Sequence, residues 1–326
     1  MTAANREFIR SVLSAVIETD RTGLLIDNRA RGLTGISGLK TVGLLQRLQR
    51  LFAADADACY LEIGVFQGLT LISAALEAPT MPCFGVDNFR ILDPEGKNLS
   101  IVRERIAAFA VTNARLLNMD FEVALENLED HLGGRRIAVY FVDGPHDYRS
   151  QIVCLLLAKK FLHKKAVIII DDANYADVRM ATRDFLLGHS EFRMVFEAYT
   201  PDHPMHLDAV TKAQAESGWL NGVNVLVRDA NGLLPPMLPE VPADRSLYFN
   251  EWLTHRARLA ELAPEALALA DAVTRKDEVS ERTARARLEA AYAIARSLFE
   301  ERHSDRNVVS RGLTEGRINR LKSGSK

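Results

Sequence analysis

The sequence has few of the features that mark secreted, membrane and nucleic-acid-binding proteins. Its 326 residues include three cysteines, an odd number in apolar stretches, which favours a reducing compartment over a disulfide framework. No apolar run approaches the ~18 residues of a membrane span, and no signal-peptide pattern precedes the first helix. The net charge of −2 argues against a general nucleic-acid binder. We therefore expect a cytoplasmic protein without membrane or nucleic-acid partners.

A glycine turn follows the first strongly apolar strand pattern. Residues 60–63 have this pattern, and the turn from Gly64 to Gly68 leads into a helical pattern. Asp87 ends the next apolar run, where an acid can bind the hydroxyls of a ribose. A dinucleotide fingerprint requires Gly-x-Gly-x-x-Gly, but Phe66 stands at the position of the second glycine. The turn therefore disfavours NAD or FAD and favours a nucleoside cofactor without phosphates.

This pattern resembles the first motif of the class I S-adenosylmethionine-dependent methyltransferases, acid-x-Gly-x-x-x-Gly after a strand, with an acid after the second strand. The resemblance implies that Glu62, Gly64 and Gly68 lie beside the methionine part of the cofactor and that Asp87 binds its ribose. Asp120, after the third strand, is where this fold often contacts the adenine, although it could instead cap a helix. A turn without a ligand remains the alternative interpretation of the glycines.

Two further apolar runs end directly in acidic residues. Residues 137–142 precede Asp143, and residues 166–170 precede Asp171 and Asp172. Unbroken runs of this kind are typical of strands buried on both faces of a parallel sheet. Ligands bind at the carboxyl ends of such strands, so these acids would gather on the cofactor side. Three carboxylates in one cleft repel each other unless a cation neutralises them, and oxygen ligands suit Mg²⁺.

His146 follows Asp143 by three residues, close enough to reach a hydroxyl bound to such an ion. A neutral imidazole, with a pKa near ~6.5, can accept the hydroxyl proton. We therefore predict that Asp143, Asp171 and Asp172 bind Mg²⁺ and that His146 is the catalytic base.

Together these residues resemble one branch of the class I methyltransferases, the metal-dependent O-methyltransferases of the macrocin O-methyltransferase type, which act on sugar hydroxyls of natural products. That branch has Asp-Gly-x-His-x-Tyr after the fourth strand, matched by residues 143–148, and an Asp-Asp pair after the fifth, matched by residues 171–172. The resemblance covers residues 35–230. It implies an S-adenosylmethionine cofactor, a metal on the first Asp and the Asp pair, and a small hydroxylated acceptor.

Each part of this pattern also has a purely structural interpretation. Residues 143–145 are favourable turn chemistry, Asp172 could cap the next helix, and a histidine in a loop is often only solvated. His203 and His206, in a loop with prolines, are weak metal candidates. Two other functions stay open: a methyltransferase-like binding or assembly protein without turnover, and a nucleotide-dependent oxidoreductase.

The predicted fold is α/β, a Rossmann-like seven-stranded methyltransferase sheet with helices on both faces. We expect an N-terminal helical segment over 1–55, an S-adenosylmethionine-binding domain over 56–231, and a C-terminal helical extension with a basic tail over 245–326. Residues 192–198 and 223–228 are expected to form a closing antiparallel hairpin. The apolar stripe of the C-terminal helices predicts packing on the main domain or on a second subunit, so a homo-oligomer is one expectation.

The sequence thus predicts an S-adenosylmethionine-dependent, Mg²⁺-dependent O-methyltransferase that acts on a hydroxyl of a small molecule, such as a glycoside or another natural product. The expected reaction is a single in-line transfer, in which the acid-bound ion activates the hydroxyl and His146 takes its proton.

Overall fold

The computed structural model describes residues 2–241, 259–302 and 316–322. The strands that form its sheet are β1 (Ala58–Ile63), β2 (Cys83–Val86), β3 (Ala114–Leu117), β4 (Arg136–Val142), β5 (Leu162–Asp171), β6 (Phe192–Ala198), β7 (Val223–Arg228) and β8 (Arg317–Ile318). The α-helices of these residues are α1 (Thr2–Thr22), α2 (Leu39–Phe52), α3 (Leu69–Glu77), α4 (Asn98–Ala108), α5 (Phe121–Glu126), α6 (Leu128–Leu132), α7 (Tyr148–Ala158), α8 (Ala176–Gly188), α9 (Ala209–Ser217), α10 (Ala263–Arg275) and α11 (Glu278–Arg302).

The strand order is β3-β2-β1-β4-β5-β7-β6-β8. Strands β1 to β5 pair in parallel, whereas β7 runs antiparallel to both β5 and β6. The order reverses between β1 and β4, which is where an open α/β sheet leaves a crevice for ligands. The predicted α/β, Rossmann-like fold is therefore confirmed, with its antiparallel closing hairpin.

In the described part of the chain the sheet has eight strands, one more than the seven that the sequence predicts. β8 pairs antiparallel with β6, with Ile318 opposite Phe196 and Arg317 opposite Glu197. The Arg317 Nε is 2.6 Å from the buried Glu197 carboxylate. A strand of two residues is too short to show a periodic hydrophobic pattern, so the sequence does not predict it. An ion pair with a residue distant in the sequence holds it in place. The rest of the predicted basic tail, apart from 316–322, lies outside the described residues.

Helices cover both faces of the sheet because successive strand side chains point to opposite sides. Val139 and Phe141 of β4 join one apolar cluster, which includes residues of α1, α2 and α3. Tyr140 and Val142 join a second cluster with residues of α5 to α8. The loops at the carboxyl ends of β1, β4 and β5 therefore extend from strands that are buried on both faces.

The chain divides into two units, Met1–Pro242 with Arg306–Lys326, and Ala243–Asp305. In the second unit, α10 and α11 pack against each other, and Ala272 and Ala284 are buried. An oligomer formed through these helices stays a prediction. None of the described helices has the length and apolar character needed to cross a membrane.

Candidate active site

The glycine turn joins β1 to α3 in a backbone conformation that side chains seldom adopt. Gly64 has φ +88°, and Gly68, the N-cap of α3, has φ +81°. Phe66 between them has φ +49°, so a bulky residue occupies geometry that favours glycine. A Cβ on Gly64 would lie 1.9 Å from the carbonyl oxygen of Asp143. The turn therefore packs directly on the loop that carries a predicted metal ligand.

The Asp87 carboxylate connects this turn to the end of β2. Its Oδ2 accepts hydrogen bonds from the amides of Val65 and Phe66, each at 2.9 Å, and its Oδ1 accepts one from the Phe89 amide at 2.7 Å. A carboxylate has about four acceptor positions, so about one on Oδ1 remains for a ribose hydroxyl. Asp87 therefore lies at the strand end where a ribose ligand is expected. Most of the acceptor positions of its carboxylate are already occupied by backbone amides of the protein.

Glu62 and Asp120 have different surroundings from those of Asp87. Glu62 is fully buried in β1 and accepts a hydrogen bond from the Tyr60 hydroxyl at 2.6 Å. Burial raises the pKa of the Glu62 carboxyl to about 8, so this group is largely protonated at neutral pH. Asp120 is the N-cap of α5 and accepts from the Glu122 amide at 2.9 Å, which is the alternative role that the sequence allows.

The acids that follow β4 and β5 lie together with His146. One ligand atom each from Asp143, His146 and Asp172 lies within 4.8 Å of the others. Nε2 of His146 is 2.8 Å from Oδ2 of Asp172. The amide of Asp143 donates to the carbonyl of Ile63, the last residue of β1, at 2.9 Å. This group, called here the acid cluster, therefore borders the β1–β4 crevice.

The two carboxyl groups of the acid cluster have opposite pKa shifts. Burial, followed by the charges of Asp171 and Asp172, raises the pKa of Asp143 well above its ordinary value. Burial would also raise the pKa of Asp172, but the His146 imidazole and the hydrogen bonds from neighbouring side chains outweigh it and lower that pKa. Side-chain hydrogen bonding with Asp172 also acts to raise the pKa of Asp143. Without a cation, the arrangement therefore favours a protonated Asp143 beside an ionised Asp172.

Asp171 is adjacent to the acid cluster but is not one of its members among the described residues. It is buried, and its Oδ1 has no hydrogen-bond partner in the described part of the chain. Burial and the charge of Asp172 raise the pKa of Asp171. Of the three predicted aspartate ligands, the structure thus brings Asp143 and Asp172 together and leaves Asp171 beside them.

A stack of rings borders the acid cluster. The ring of His146 is stacked on that of Tyr175, with centroids 4.7 Å apart and an interplanar angle of 18°. His203, from the loop between β6 and α9, has its ring centroid 5.8 Å from that of Tyr175, and His206 is 6.0 Å from His203. The candidate metal group of the described residues includes His146, the predicted base, and neither of the two loop histidines.

Asn221 is a site residue that the sequence analysis missed. It is buried just before β7, and its Nδ2 donates to Oδ1 of Asp172 at 2.6 Å. Its carbonyl accepts from the Asn174 amide at 2.9 Å, and the Gly222 carbonyl accepts from the Ala173 amide at 3.2 Å. These bonds hold the turn after β5 against the start of β7. The Asn-Gly pair indicates a turn, but it gives no sign of the contact with Asp172.

The acid cluster has the donors of a divalent-cation site. Among the described residues, Asp172 forms an ion pair with His146, and neither Asp143 nor Asp172 forms one with a lysine or an arginine. Carboxylate oxygens suit Mg²⁺, and a cation beside them would offset the repulsion that raises the pKa of Asp143. The residues present therefore fit a bound Mg²⁺, next to an imidazole that can accept a proton.

Residues 61–173 match the family model of a methyltransferase domain. The match begins in β1 and ends in the turn after β5, so it contains the glycine turn, Asp87 and the acid cluster. These residues are similar to a methyltransferase domain, which agrees with the resemblance seen in the sequence. A search of curated proteins finds no match to the chain.

Several solved structures are similar to this chain. The O-methyltransferase from Bacillus cereus in complex with SAH is 15% identical, with a TM-score of 0.45, over 66% of this chain and 90% of that one. TomG from Streptomyces achromogenes, an O-methyltransferase of tomaymycin synthesis solved with SAM, is 18% identical, with a TM-score of 0.45, over 66% and 89%. Cofactor-bound Rv0187 from MTB is 16% identical, with a TM-score of 0.43, over 69% and 91%. Similarity at this level leaves activity and substrate to be argued from the site.

Proposed function

We propose that the chain is an S-adenosylmethionine-dependent O-methyltransferase with a hydroxylated small molecule as its acceptor. The observation that carries this proposal is the direct packing of the glycine turn on the loop of the acid cluster, where a Cβ on Gly64 would meet the Asp143 carbonyl oxygen at 1.9 Å. The cofactor turn and the acids therefore share one crevice. Bound S-adenosylmethionine supplies an electrophilic methyl group on its sulfonium.

His146 is the proposed base. Its Nε2 lies 2.8 Å from Oδ2 of Asp172, and the lowered pKa of Asp172 keeps that carboxylate ionised. An N–H at Nε2 that donates to Asp172 leaves Nδ1 as the atom that accepts the proton of the hydroxyl. The stack on Tyr175 fixes the plane of the imidazole, and the carboxylate stabilises the imidazolium that forms.

The acid cluster is also the proposed Mg²⁺ site, held by Asp143 and Asp172 with Asp171 as the third ligand that the family resemblance implies. When bound, the ion would lower the pKa of the acceptor hydroxyl. The raised pKa of Asp143 supports this role, because the charged groups that raise it are other acids and a cation would offset their repulsion. The Asp-Gly-x-His-x-Tyr and Asp-Asp motifs favour the macrocin type of O-methyltransferase, and therefore a glycoside or another natural product as acceptor.

The test combines ligand binding with turnover. S-adenosylhomocysteine is expected to raise the melting temperature of the protein, whereas NAD is not. Methyl transfer to a panel of hydroxylated glycosides is expected with Mg²⁺, to stop with EDTA and to return with added Mg²⁺. His146→Ala should lower the rate by a much larger factor than it lowers Mg²⁺ affinity in calorimetry, because the proposed ligands are aspartates and His146 is the proposed base. Stabilisation by NAD would favour an oxidoreductase, and cofactor binding without turnover would favour a binding protein.

A further inference from the structure

A cavity of about 450 Å³ lies between the segment that follows α1, the start of α3 and helix α9. Half of the residues that line it have apolar side chains, among them Ile26, Leu33, Ile36, Leu69 and Leu220. This volume lies in the range of about 300–1,000 Å³ that is typical of small-molecule pockets. The cavity is therefore large enough for a small-molecule ligand, and half of its lining residues can contact an apolar group.

Two lining residues of the cavity directly follow or precede residues of the proposed active site. Leu69 directly follows Gly68, the last residue of the glycine turn, and lines one side. Leu220 lines another side and directly precedes Asn221, whose amide donates to Asp172 at 2.6 Å. Two of the residues that line the cavity are therefore adjacent in the chain to residues of the proposed site.

The segment after α1, which forms one wall of the cavity, is connected to the glycine turn by hydrogen bonds. Nη1 of Arg105 donates to the carbonyl of Thr34 at 2.7 Å and to the carbonyl of Gln67 at 2.8 Å. A Cβ on Gly35 would lie 2.7 Å from Cβ of Leu69, so the two segments are in close contact. The position of this wall is thus coupled to the conformation of the turn.

The lining has exposed apolar groups. Ile26 is 44% exposed and Ile36 is 60% exposed, so two large aliphatic side chains of the lining are in contact with water. Covering such surface with an apolar ligand is favourable. Ser37 adds a buried hydroxyl that has no hydrogen-bond partner among the described residues. The cavity therefore offers apolar surface together with polar side chains, and one of these is the unpartnered hydroxyl of Ser37.

The lining has little capacity to bind phosphate. Among the described residues that line the cavity, Arg29 is the one basic side chain. Its Nε and Nη2 already donate to the carboxylate of Asp27, at 3.0 and 2.6 Å. A diphosphate requires cationic or oriented donors that are not already paired. Nucleotide-linked acceptors therefore fit this lining poorly.

We propose that this cavity binds the acceptor, and that the acceptor is a phosphate-free molecule with an aromatic or alicyclic body. The body contacts Ile26 and Ile36, and its reacting hydroxyl lies toward Leu220 and the acid cluster. This inference rests on the proposed methyl-transfer function and narrows its acceptor class. A nucleotide-activated sugar is the alternative that the chemistry of the lining disfavours.

Calorimetry on protein saturated with S-adenosylhomocysteine tests the proposal, with 2,3-dihydroxynaphthalene and uridine diphosphate glucose as probes. The naphthalenediol is expected to bind and the nucleotide sugar is not. Ile36→Glu, and separately Ile26→Glu, places a carboxylate against the apolar body and should weaken naphthalenediol binding by about tenfold or more. Ile17→Glu is the matched control because Ile17 is 55% exposed on α1 and does not line the cavity.

Three results would overturn the proposal: no naphthalenediol binding by the wild type, unchanged affinity in both cavity variants, or tighter binding of uridine diphosphate glucose. Both cavity positions are exposed, so the substitutions should leave the fold intact, and circular dichroism checks this. Failure of the wild type to bind S-adenosylhomocysteine would instead contradict the proposed function itself. The two failures are therefore distinguishable.

Discussion

Gly64 and Asp143 are in such close contact that a Cβ at position 64 would lie 1.9 Å from the Asp143 carbonyl oxygen. Neither residue reaches this contact through its side chain, so the contact depends on the backbones of two neighbouring loops. It couples the shape of the glycine turn to the position of the acid cluster. A change at Gly64 should therefore affect both halves of the site.

Gly64→Ala is expected to lower the free energy of unfolding by about 3 kcal/mol or more, since it adds a backbone clash to the cost of a positive φ. It should also weaken binding of both S-adenosylhomocysteine and Mg²⁺. Gly134→Ala is the control, because Gly134 has φ +83° with no atom within 4 Å of the added Cβ. Its expected cost is about 1 kcal/mol, with both affinities unchanged. Equal effects of the two changes in urea unfolding and calorimetry would contradict the coupling.

Asp87→Ala removes the acceptor of three backbone amides and the proposed ribose ligand. We expect S-adenosylhomocysteine affinity to fall by at least about tenfold, since hydrogen bonds to a charged group contribute about 1.5–3 kcal/mol. Asp277→Ala, which removes the acceptor of two backbone amides in the helical extension, is the control and should leave the affinity unchanged. A wild-type affinity in Asp87→Ala would exclude Asp87 from the cofactor site.

The pKa of Glu62 predicts a pH dependence of stability. Its value of about 8 lies above the ordinary 4.5, so between these pH values the folded protein holds a proton that the unfolded chain has released. This contribution to stability is complete below the lower value and is lost as the pH rises toward 8, by about 1.4 kcal/mol per pH unit. Glu62→Gln mimics the protonated form and should become more stable relative to wild type as the pH rises. Urea unfolding at several pH values within this range gives the free energy of unfolding of both proteins. If the prediction were wrong, the values for wild type and Glu62→Gln would change with pH in parallel.

The sequence predicted the parts of the site that depend on strand ends. Asp87, Asp143 and Asp172 each directly follow, or nearly follow, an apolar run, and the carboxyl ends of neighbouring parallel strands lie at one edge of a sheet. The glycine turn was equally local, because its residues are consecutive. The sequence pattern could not predict that Asp171 lies apart from the group of Asp143 and Asp172. The backbone of Asp172 has φ +54°, so the side chains of residues 171 and 172 have different directions.

Contacts between distant residues escaped prediction. Asn221 donates to Asp172 across 49 positions of the sequence, and Arg317 pairs with Glu197 across a longer separation. Neither contact leaves a periodic signal, because each joins single side chains from different elements. Sequence patterns therefore predicted the fold and the side of the sheet that carries the site, while the hydrogen-bond partners within the site required the three-dimensional structure.

Asp143→Asn should separate stability from metal binding. The raised pKa of Asp143 means that its ionisation opposes folding as the pH rises, so the variant should be at least as stable as wild type near pH 8 without a cation. Mg²⁺ affinity should fall by at least about tenfold, because a charged ligand is lost. Asp177→Asn is the control: burial raises the pKa of Asp177 to about 6, but this residue is outside the acid cluster. Unchanged Mg²⁺ affinity in Asp143→Asn would remove this residue from the metal site.

Asn221→Ala tests whether Asn221 positions Asp172 for metal binding. The amide of Asn221 donates to Oδ1 of Asp172 at 2.6 Å, and its loss should free this carboxylate to rotate and raise its pKa. We expect the Kd for Mg²⁺ to rise severalfold and the free energy of unfolding to fall by about 1–3 kcal/mol.

Asn113→Ala is the matched control, since the amide of Asn113 donates to the carbonyls of Ala75, Ala78 and Met81 at a distance from the acid cluster along the sheet. It should lose similar stability, because it also removes a side-chain amide from several hydrogen bonds, yet keep the wild-type Kd for Mg²⁺. A merely structural role for Asn221 predicts the same result in both variants. The Kd for Mg²⁺ is measured by calorimetry, without acceptor or turnover. A Kd that rises in Asn221→Ala but not in Asn113→Ala would therefore identify Asn221 as a residue that orients Asp172.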